Sequence, residues 1–162
     1  MRLLALDGSL ARASAALWVE GGVVAQRAMA GDRIQPTVLP VMANDLLAEA
    51  DRRVDAVAVV VGPGGFTGLR TAIALAEGIA LGLGVPVIGV TTGEALAAAL
   101  PDALRAERAV WAAVDTKRGR ITLERLAPGA WVPEGPPAVL AEAELPRPDG
   151  PVAVAGDAAP LV

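Results

Sequence analysis

Histidine and cysteine are both missing from this 162-residue chain. Without cysteine there are no disulfides, thiolate metal sites or thiol nucleophiles. Without histidine, no side chain has an unperturbed pKa between about 5 and 8. Acid–base work at neutral pH would then need an Asp or Glu shifted strongly upward, or an unusual Lys. A Ser-His-Asp triad, an HExxH zinc site and a Cys-His pair are excluded. Aromatic residues are scarce, 2% against 54% hydrophobic, so Ala, Val and Leu must build the core. Lysine occurs once, as Lys117, among 14 basic residues, and the net charge is −4. An acidic chain is a poor nucleic-acid binder by itself, because that affinity comes largely from neutralising phosphates.

The N-terminus, MRLLALDGSL, reaches Asp7 too soon for a secretory leader. The most apolar stretch, Thr71 to Gly93, is interrupted by Glu77, several glycines and Pro86, which reads as helix, turn and strand rather than a membrane span. The expectation is a soluble, cytoplasmic protein with no membrane contact.

Leu3 to Asp7 reads as a buried strand ending on an acid. Ala13 to Val19 and Val23 to Met29, around Glu20-Gly21-Gly22, read as a β-hairpin. Three consecutive strands are unlike a dinucleotide-binding unit, which opens strand–helix–strand. From Thr37 to Ala50 the period changes. Leu39, Met42, Leu46 and Ala50 share a helical face, with Pro40 placed in the first turn. Val54 to Val61 reads as a β-branched strand covered on both faces. A helix over Thr67–Leu83, a buried strand over Val85–Val90 and a short helix over Glu94–Leu100 follow. Pro101 to Arg108 breaks the pattern, giving expected domains of 1–104 and 105–162.

Trp111–Asp115 followed by Ile121–Leu126 repeats the opening pattern of a strand ending in an acid and then a second strand, with Asp115 lying 108 residues after Asp7. The rest is rich in Pro and Ala, with Val152–Ala155 as a strand. A second lobe matching the first would need more helices than this segment offers.

The most distinctive string is Val61 to Arg70, VGPGGFTGLR, between a strand and a helix. Gly62, Gly64, Gly65 and Gly68 permit positive φ and close approach, while Pro63 stiffens the turn. Thr67 is placed to cap the helix, and backbone N–H groups at a helix start can hold an anion. The segment lacks the lysine of GxxxxGK[ST] and misses GxGxxG spacing.

GPGGFTGLR closely resembles the GPGSFTGxR signature of the TsaB (YeaZ) family. LALDGS, VPVIGVTT and VDTKRGRI match further family segments in order, so the resemblance runs from about Arg2 to Leu126. Family members carry H-[ST]-x-x-L-x-P before the first helix. Here the matching stretch is Ile34-Gln35-Pro36-Thr37-Val38-Leu39-Pro40, and the His is gone.

The resemblance implies an α/β, actin-like (ribonuclease-H-like) pair of duplicated lobes with mixed sheets and flanking helices, the second lobe truncated. It also implies a non-catalytic subunit that pairs with a TsaD-type catalytic subunit. With a TsaE-type ATPase, that pair supports threonylcarbamoyladenosine formation in tRNA. Alone the chain would form a homodimer and would meet tRNA only through the complex. Catalytic residues, metal ligands and cofactors are expected to be none.

Candidate site residues fall into three groups. The loop Gly62, Pro63, Gly64, Gly65, Phe66, Thr67, Gly68 and Arg70 could hold an anion or meet a partner. Asp7, Ser9 and Asp115 stand where actin-like phosphotransferases place a carboxylate for a metal-nucleotide, or simply bond the turn at the strand end. Leu39, Met42 and Leu46 join two small-residue rows, Ala72-Ala76-Ala80 and Ala74-Gly78-Gly82, as the expected partner interface. Lys117, Arg118, Arg120 and Arg125 form the one dense basic cluster, read as a solvated hairpin or a contact for tRNA or partner. Two rival readings stand: an actin-like ATP-dependent phosphotransferase using Asp7 and the loop, and a self-associating degenerate paralogue.

Overall fold

Apolar residues alternating with small ones produce three strands in the first thirty positions: β1 (Arg2–Asp7), β2 (Arg12–Val19) and β3 (Gly22–Ala30). The computed structural model describes all 162 residues, Met1–Val162. β2 and β3 are joined by Glu20 and Gly21, both at positive φ (49° and 103°), as a two-residue hairpin of matching twist requires. The chain then crosses through α1 (Gln35–Glu49) to β4 (Ala56–Gly62) and through α2 (Phe66–Leu83) to β5 (Val87–Thr91). β4 runs parallel to β1 and β2 antiparallel to it, so the sheet is mixed, in the order β3-β2-β1-β4-β5.

The core of this sheet is aliphatic. Leu4, Leu6, Val57 and Val59 meet Leu39 and Leu46 of α1 and Ala72 and Ala76 of α2, none more than 2% exposed. Burying each Leu or Val contributes about 1.5–3 kcal/mol, and the alanines let α2 lie close to the strands. α2 is the one helix long and apolar enough to cross a bilayer, yet its Ala72-Ala76-Ala80 row is spent against its own sheet.

Helices α3 (Thr92–Ala98) and α4 (Asp102–Glu107) precede a second mixed sheet of β6 (Ala109–Asp115), β7 (Ile121–Leu126), β8 (Ala138–Leu140) and β9 (Val152–Ala155). Its order is β8-β7-β6-β9, with β7 antiparallel and β9 parallel to β6. The strand ending in Asp therefore has the same two kinds of neighbour in both sheets, which is the duplicated, actin-like arrangement. One face packs Val110 and Leu126 against Ala97 and Leu100. The other, with Trp111, Ala113, Ile121 and Leu123, packs against Leu145 and Ala158, which flank two single-turn 3₁₀ helices in the C-terminal segment. The chain divides into two compact units, Met1–Val90 and Thr91–Val162.

Several local expectations need correction. α1 starts at Gln35 rather than Thr37, because Pro36 occupies its first turn. Pro40 therefore lies inside the helix, where it removes the bond to the carbonyl four residues earlier. β5 is an outermost strand with Ile88 41% exposed, not a buried one. Asp102–Glu107, in the stretch expected to break the pattern, is helical behind Pro101 at its N-cap.

Candidate functional site

In the first unit, parallel strands β1 and β4 end side by side, and the segments that follow them meet. After β1, Asp7 turns the chain: its Oδ1 accepts the Ser9 N–H at 2.8 Å. After β4, Gly62 adopts φ 119° ahead of a cis Gly62-Pro63 bond. The Gly65 N–H then donates to the Ser9 carbonyl at 2.6 Å. The two backbones touch along Gly8-Ser9 and Gly64–Gly68. A Cβ at Gly64 would overlap the Ser9 carbonyl, and one at Gly68 would overlap the Gly8 carbonyl. A Cβ at Gly8 would stand 2.6 Å from the Gly68 oxygen. These glycines are therefore required by close approach. Of the four loop glycines, Gly62 alone has positive φ, which corrects the expectation for Gly64 and Gly68.

Thr67 does not cap α2. The N-cap is Gly65, in an extended conformation without a side-chain bond, because the helix already starts at Phe66. Thr67 is exposed, its carbonyl accepting the Thr71 hydroxyl at 2.9 Å. Arg70 lies over the Phe66 ring, with 5.0 Å between Cζ and the ring centroid, a local cation–π contact. The loop thus spends one of its own N–H groups and its arginine on internal partners.

Sequence reasoning missed Gln35, which follows Ile34 at the family His position and stands where the family has Ser or Thr. Gln35 is 4% exposed and its Nε2 donates to the carbonyls of Leu10 (2.9 Å) and Arg12 (3.3 Å). Its Cδ lies 3.2 Å from where a Gly68 Cβ would stand. One amide thus ties the β1–β2 turn to α1 beside the glycine contact. The departure of Gln35 from the family pattern was the available signal.

In the second unit Asp115 repeats the Asp7 turn, its Oδ1 accepting the Lys117 N–H at 2.7 Å. Here the chain's one lysine adds its Nζ, 3.1 Å from Asp115 Oδ2 and 3.4 Å from Asp157 Oδ2. The backbone N–H and then the ammonium of Lys117 hold the Asp115 carboxyl below the usual range, and the Asp115 carboxylate holds Lys117 above its own. The expected basic cluster is interleaved with acids: besides the Lys117 contacts, Arg120 faces Glu144 and Arg125 faces Glu134, both at 4.0 Å. Asp7 and Ser9 belong to the first unit and Asp115 to the second, and each acid bonds the turn at its own strand end.

Glu124, on β7, was also missed. It is 2% exposed and its Oε2 accepts the Gly93 N–H at 2.7 Å. Burial pushes its carboxyl upward, while bonds from Thr91 and Gly93 act against that. A second sheet covered on both faces hides this acid, and alternation within one strand does not reveal it.

The expected partner interface divides cleanly. Leu39 and Leu46 (0% exposed), Met42 (9%), and Ala72, Ala76 and Ala80 (none above 3%) are taken up in the core of their own unit. Ala74, Gly78 and Gly82 are exposed, and a Cβ at Gly78 or Gly82 would meet nothing within 4 Å. Phe66 and Leu81, on the same helix, are 72% and 86% exposed.

The family model for TsaD, tRNA N6-adenosine threonylcarbamoyltransferase, matches residues 15–125. The tRNA threonylcarbamoyladenosine biosynthesis protein TsaB of Escherichia coli is 36% identical over 146 residues, which are 86% of this chain and 62% of that protein. TsaB of Haemophilus influenzae is 36% identical over 126 residues, 75% of this chain and 52% of that one. The chain thus spans between half and two thirds of these relatives. Among solved structures, YeaZ from Pseudomonas aeruginosa superposes with a TM-score of 0.79 at 33% identity, covering 96% of this chain and 75% of that one. A second Pseudomonas aeruginosa structure, of a protein similar to peptidase YEAZ, gives 0.76 at 34% identity, over 91% and 69%.

Proposed function

Because the chain belongs to the TsaB (YeaZ) family, we propose that it serves threonylcarbamoyladenosine synthesis in tRNA as a non-catalytic partner of a TsaD-type transferase. The observation that carries the non-catalytic reading is the closed contact of Gly8-Ser9 with Gly64–Gly68. The rival phosphotransferase reading has Asp7 and the glycine loop hold a phosphate between them, which needs these two turns to stand apart. Here a backbone hydrogen bond, Gly65 to Ser9, spans that place. Lys117, between Asp115 and Asp157, supplies by itself the positive charge that a metal ion would bring to the second strand end.

The partner surface in this reading is the outward face of α2: Ala74, Gly78 and Gly82, with Phe66 and Leu81 beside them. Small residues let a partner helix approach closely, and the flanking side chains supply apolar area. An interface of about 1,200–2,000 Å² would be ordinary for a stable pair. The same face serves the homodimer when the chain is alone, and tRNA is engaged through the complex, cytoplasmically, with a TsaE-type ATPase.

The test is reconstitution. The chain, a TsaD-type and a TsaE-type protein are assayed for threonylcarbamoyl transfer to tRNA together and with each omitted. Product only when all are present, with co-elution of this chain and the TsaD-type protein, is expected. Undiminished product without this chain would refute the reading. Saturable ATP turnover by the chain alone, lost in Asp7→Asn, would restore the phosphotransferase.

A further inference from the structure

Arg105, on α4, is 6% exposed and incompletely paired. Its Nη2 donates to Asp102 Oδ1 at 2.9 Å, but Nε and Nη1 are buried without a partner. Orphaned buried donors are rare and call for an explanation. Trp131 stacks on the flat face of this one: the guanidinium Cζ stands 3.4 Å from the indole ring centroid. The cover is thin, since Trp131 is 59% exposed and its neighbour Val132 66%.

The segment that carries Trp131 is pinned on both sides. The Gly129 N–H donates to the Arg105 carbonyl at 2.8 Å, and the Glu134 N–H to the Arg125 carbonyl at 2.8 Å. Turning the indole away needs neither pin to break, only a side-chain rotation, and exposed rotamers change on the ps–ns scale.

We propose that Arg105 is an oxyanion-binding residue held in reserve under Trp131. The guanidinium is a planar fork in which Nη2 shares one edge with Nε and the other with Nη1. Asp102 uses Nη2 alone, through a side chain that is 93% exposed. A phosphate or carboxylate entering along either edge takes two parallel N–H donors, and on the edge that Asp102 uses it leaves that carboxylate to water. Such two-point pairing is the geometry arginine favours for these groups. Asp102 and Glu107 on α4 and Glu134 on the loop oppose an anion, and Arg108 favours it, so affinity is modest and set by the two-point geometry.

The Arg105 Nε–Hε NMR signal, assigned by its absence from Arg105→Lys, reads the site directly. Inorganic phosphate and acetate are titrated at constant ionic strength against chloride. A saturable shift is expected. Phosphate alone producing it marks a phosphate ester as the ligand, and both producing it extends the class to carboxylates. Trp131→Ala and Asp102→Asn should each tighten binding by roughly fivefold, the factor equivalent to about 1 kcal/mol of recovered bonding. Asp102→Asn changes an exposed side chain and keeps the test open if Trp131→Ala disturbs the loop. A non-saturating shift shared by every arginine signal overturns the proposal, as does an affinity that neither variant changes.

Discussion

Two glycines of one helix, Gly68 and Gly78 of α2, should respond in opposite directions to the same change to alanine. In an open helical position, Gly→Ala stabilises by about 0.5–1 kcal/mol, because alanine loses less backbone entropy on folding. Gly78 is such a position, with nothing within 4 Å of an added Cβ. Gly68 is not: its Cβ would overlap the Gly8 carbonyl and approach Gln35 Cδ to 3.2 Å. The Gly8 carbonyl belongs to backbone that the Asp7–Ser9 bond already fixes, so it cannot swing aside as a side-chain tip would. Overpacking of this kind typically costs about 1–3 kcal/mol. Offset by the helix term, Gly68→Ala should lose roughly 1–2 kcal/mol. At this chain length 1 kcal/mol corresponds to about 2–4 °C in Tm. The expected shifts are therefore roughly −2 to −8 °C for Gly68→Ala and about +1 to +4 °C for Gly78→Ala, read by circular dichroism melting. Equal shifts of one sign would show that the Gly8–Gly68 contact is soft, and the closed-junction reasoning would fall with it.

Ala76→Trp should damage the core, with a lowered Tm, whereas Gly78→Trp should keep the monomer's melting profile and lose association in sedimentation velocity; two fully associated, folded variants would remove α2 from the interface. Glu124 carries a folded-state pKa above its unfolded one, so its favourable contribution is complete at acid pH and is lost as pH rises through the folded value. Urea midpoints of wild type relative to Glu124→Gln should accordingly fall between acid and neutral pH, and a flat difference would contradict the burial effect. Lys117→Met should lower stability at pH 7 by less than about 1 kcal/mol, since the lysine is largely exposed; Asp115 titrates low in the fold, so this deficit should shrink as pH drops through the Asp115 value. The isolated chain should bind tRNA no better than about 10⁻⁴–10⁻⁶ M at physiological salt, and a nanomolar complex in a filter-binding assay would refute that.

The strands and long helices were legible because their periods are strong: Leu4 and Leu6 alternate inward, and Leu39, Met42 and Leu46 recur along one helical face. Boundaries were less so, since Pro36 can open a helix as readily as precede one. The glycine loop was legible as a special backbone, but sequence could not separate positive φ from close approach, because both demand the same residue. The two alanine and glycine rows of α2 looked alike for a related reason: composition does not reveal which side of a helix its sheet lies on. Gln35, Glu124 and Arg105 escaped notice because a buried polar residue is defined by partners distant in sequence. Leu10, Gly93 and Trp131 have no local tie to them.

The strand order carries a consequence for how each unit assembles. β1 meets β2 through a short turn, but it meets β4 only after the whole of α1 has intervened. β6 likewise meets β7 across a few residues and β9 across a long proline-rich segment. Local pairings close small loops and form early, while distant parallel pairings wait on larger losses of chain entropy. The antiparallel meander is therefore the early structure in each unit, and the parallel strand is the late addition. The Gly8–Gly68 junction, which needs β4 in place, can form only in that step, so a nascent chain emerging from the ribosome reaches it once the first turn of α2 has been made.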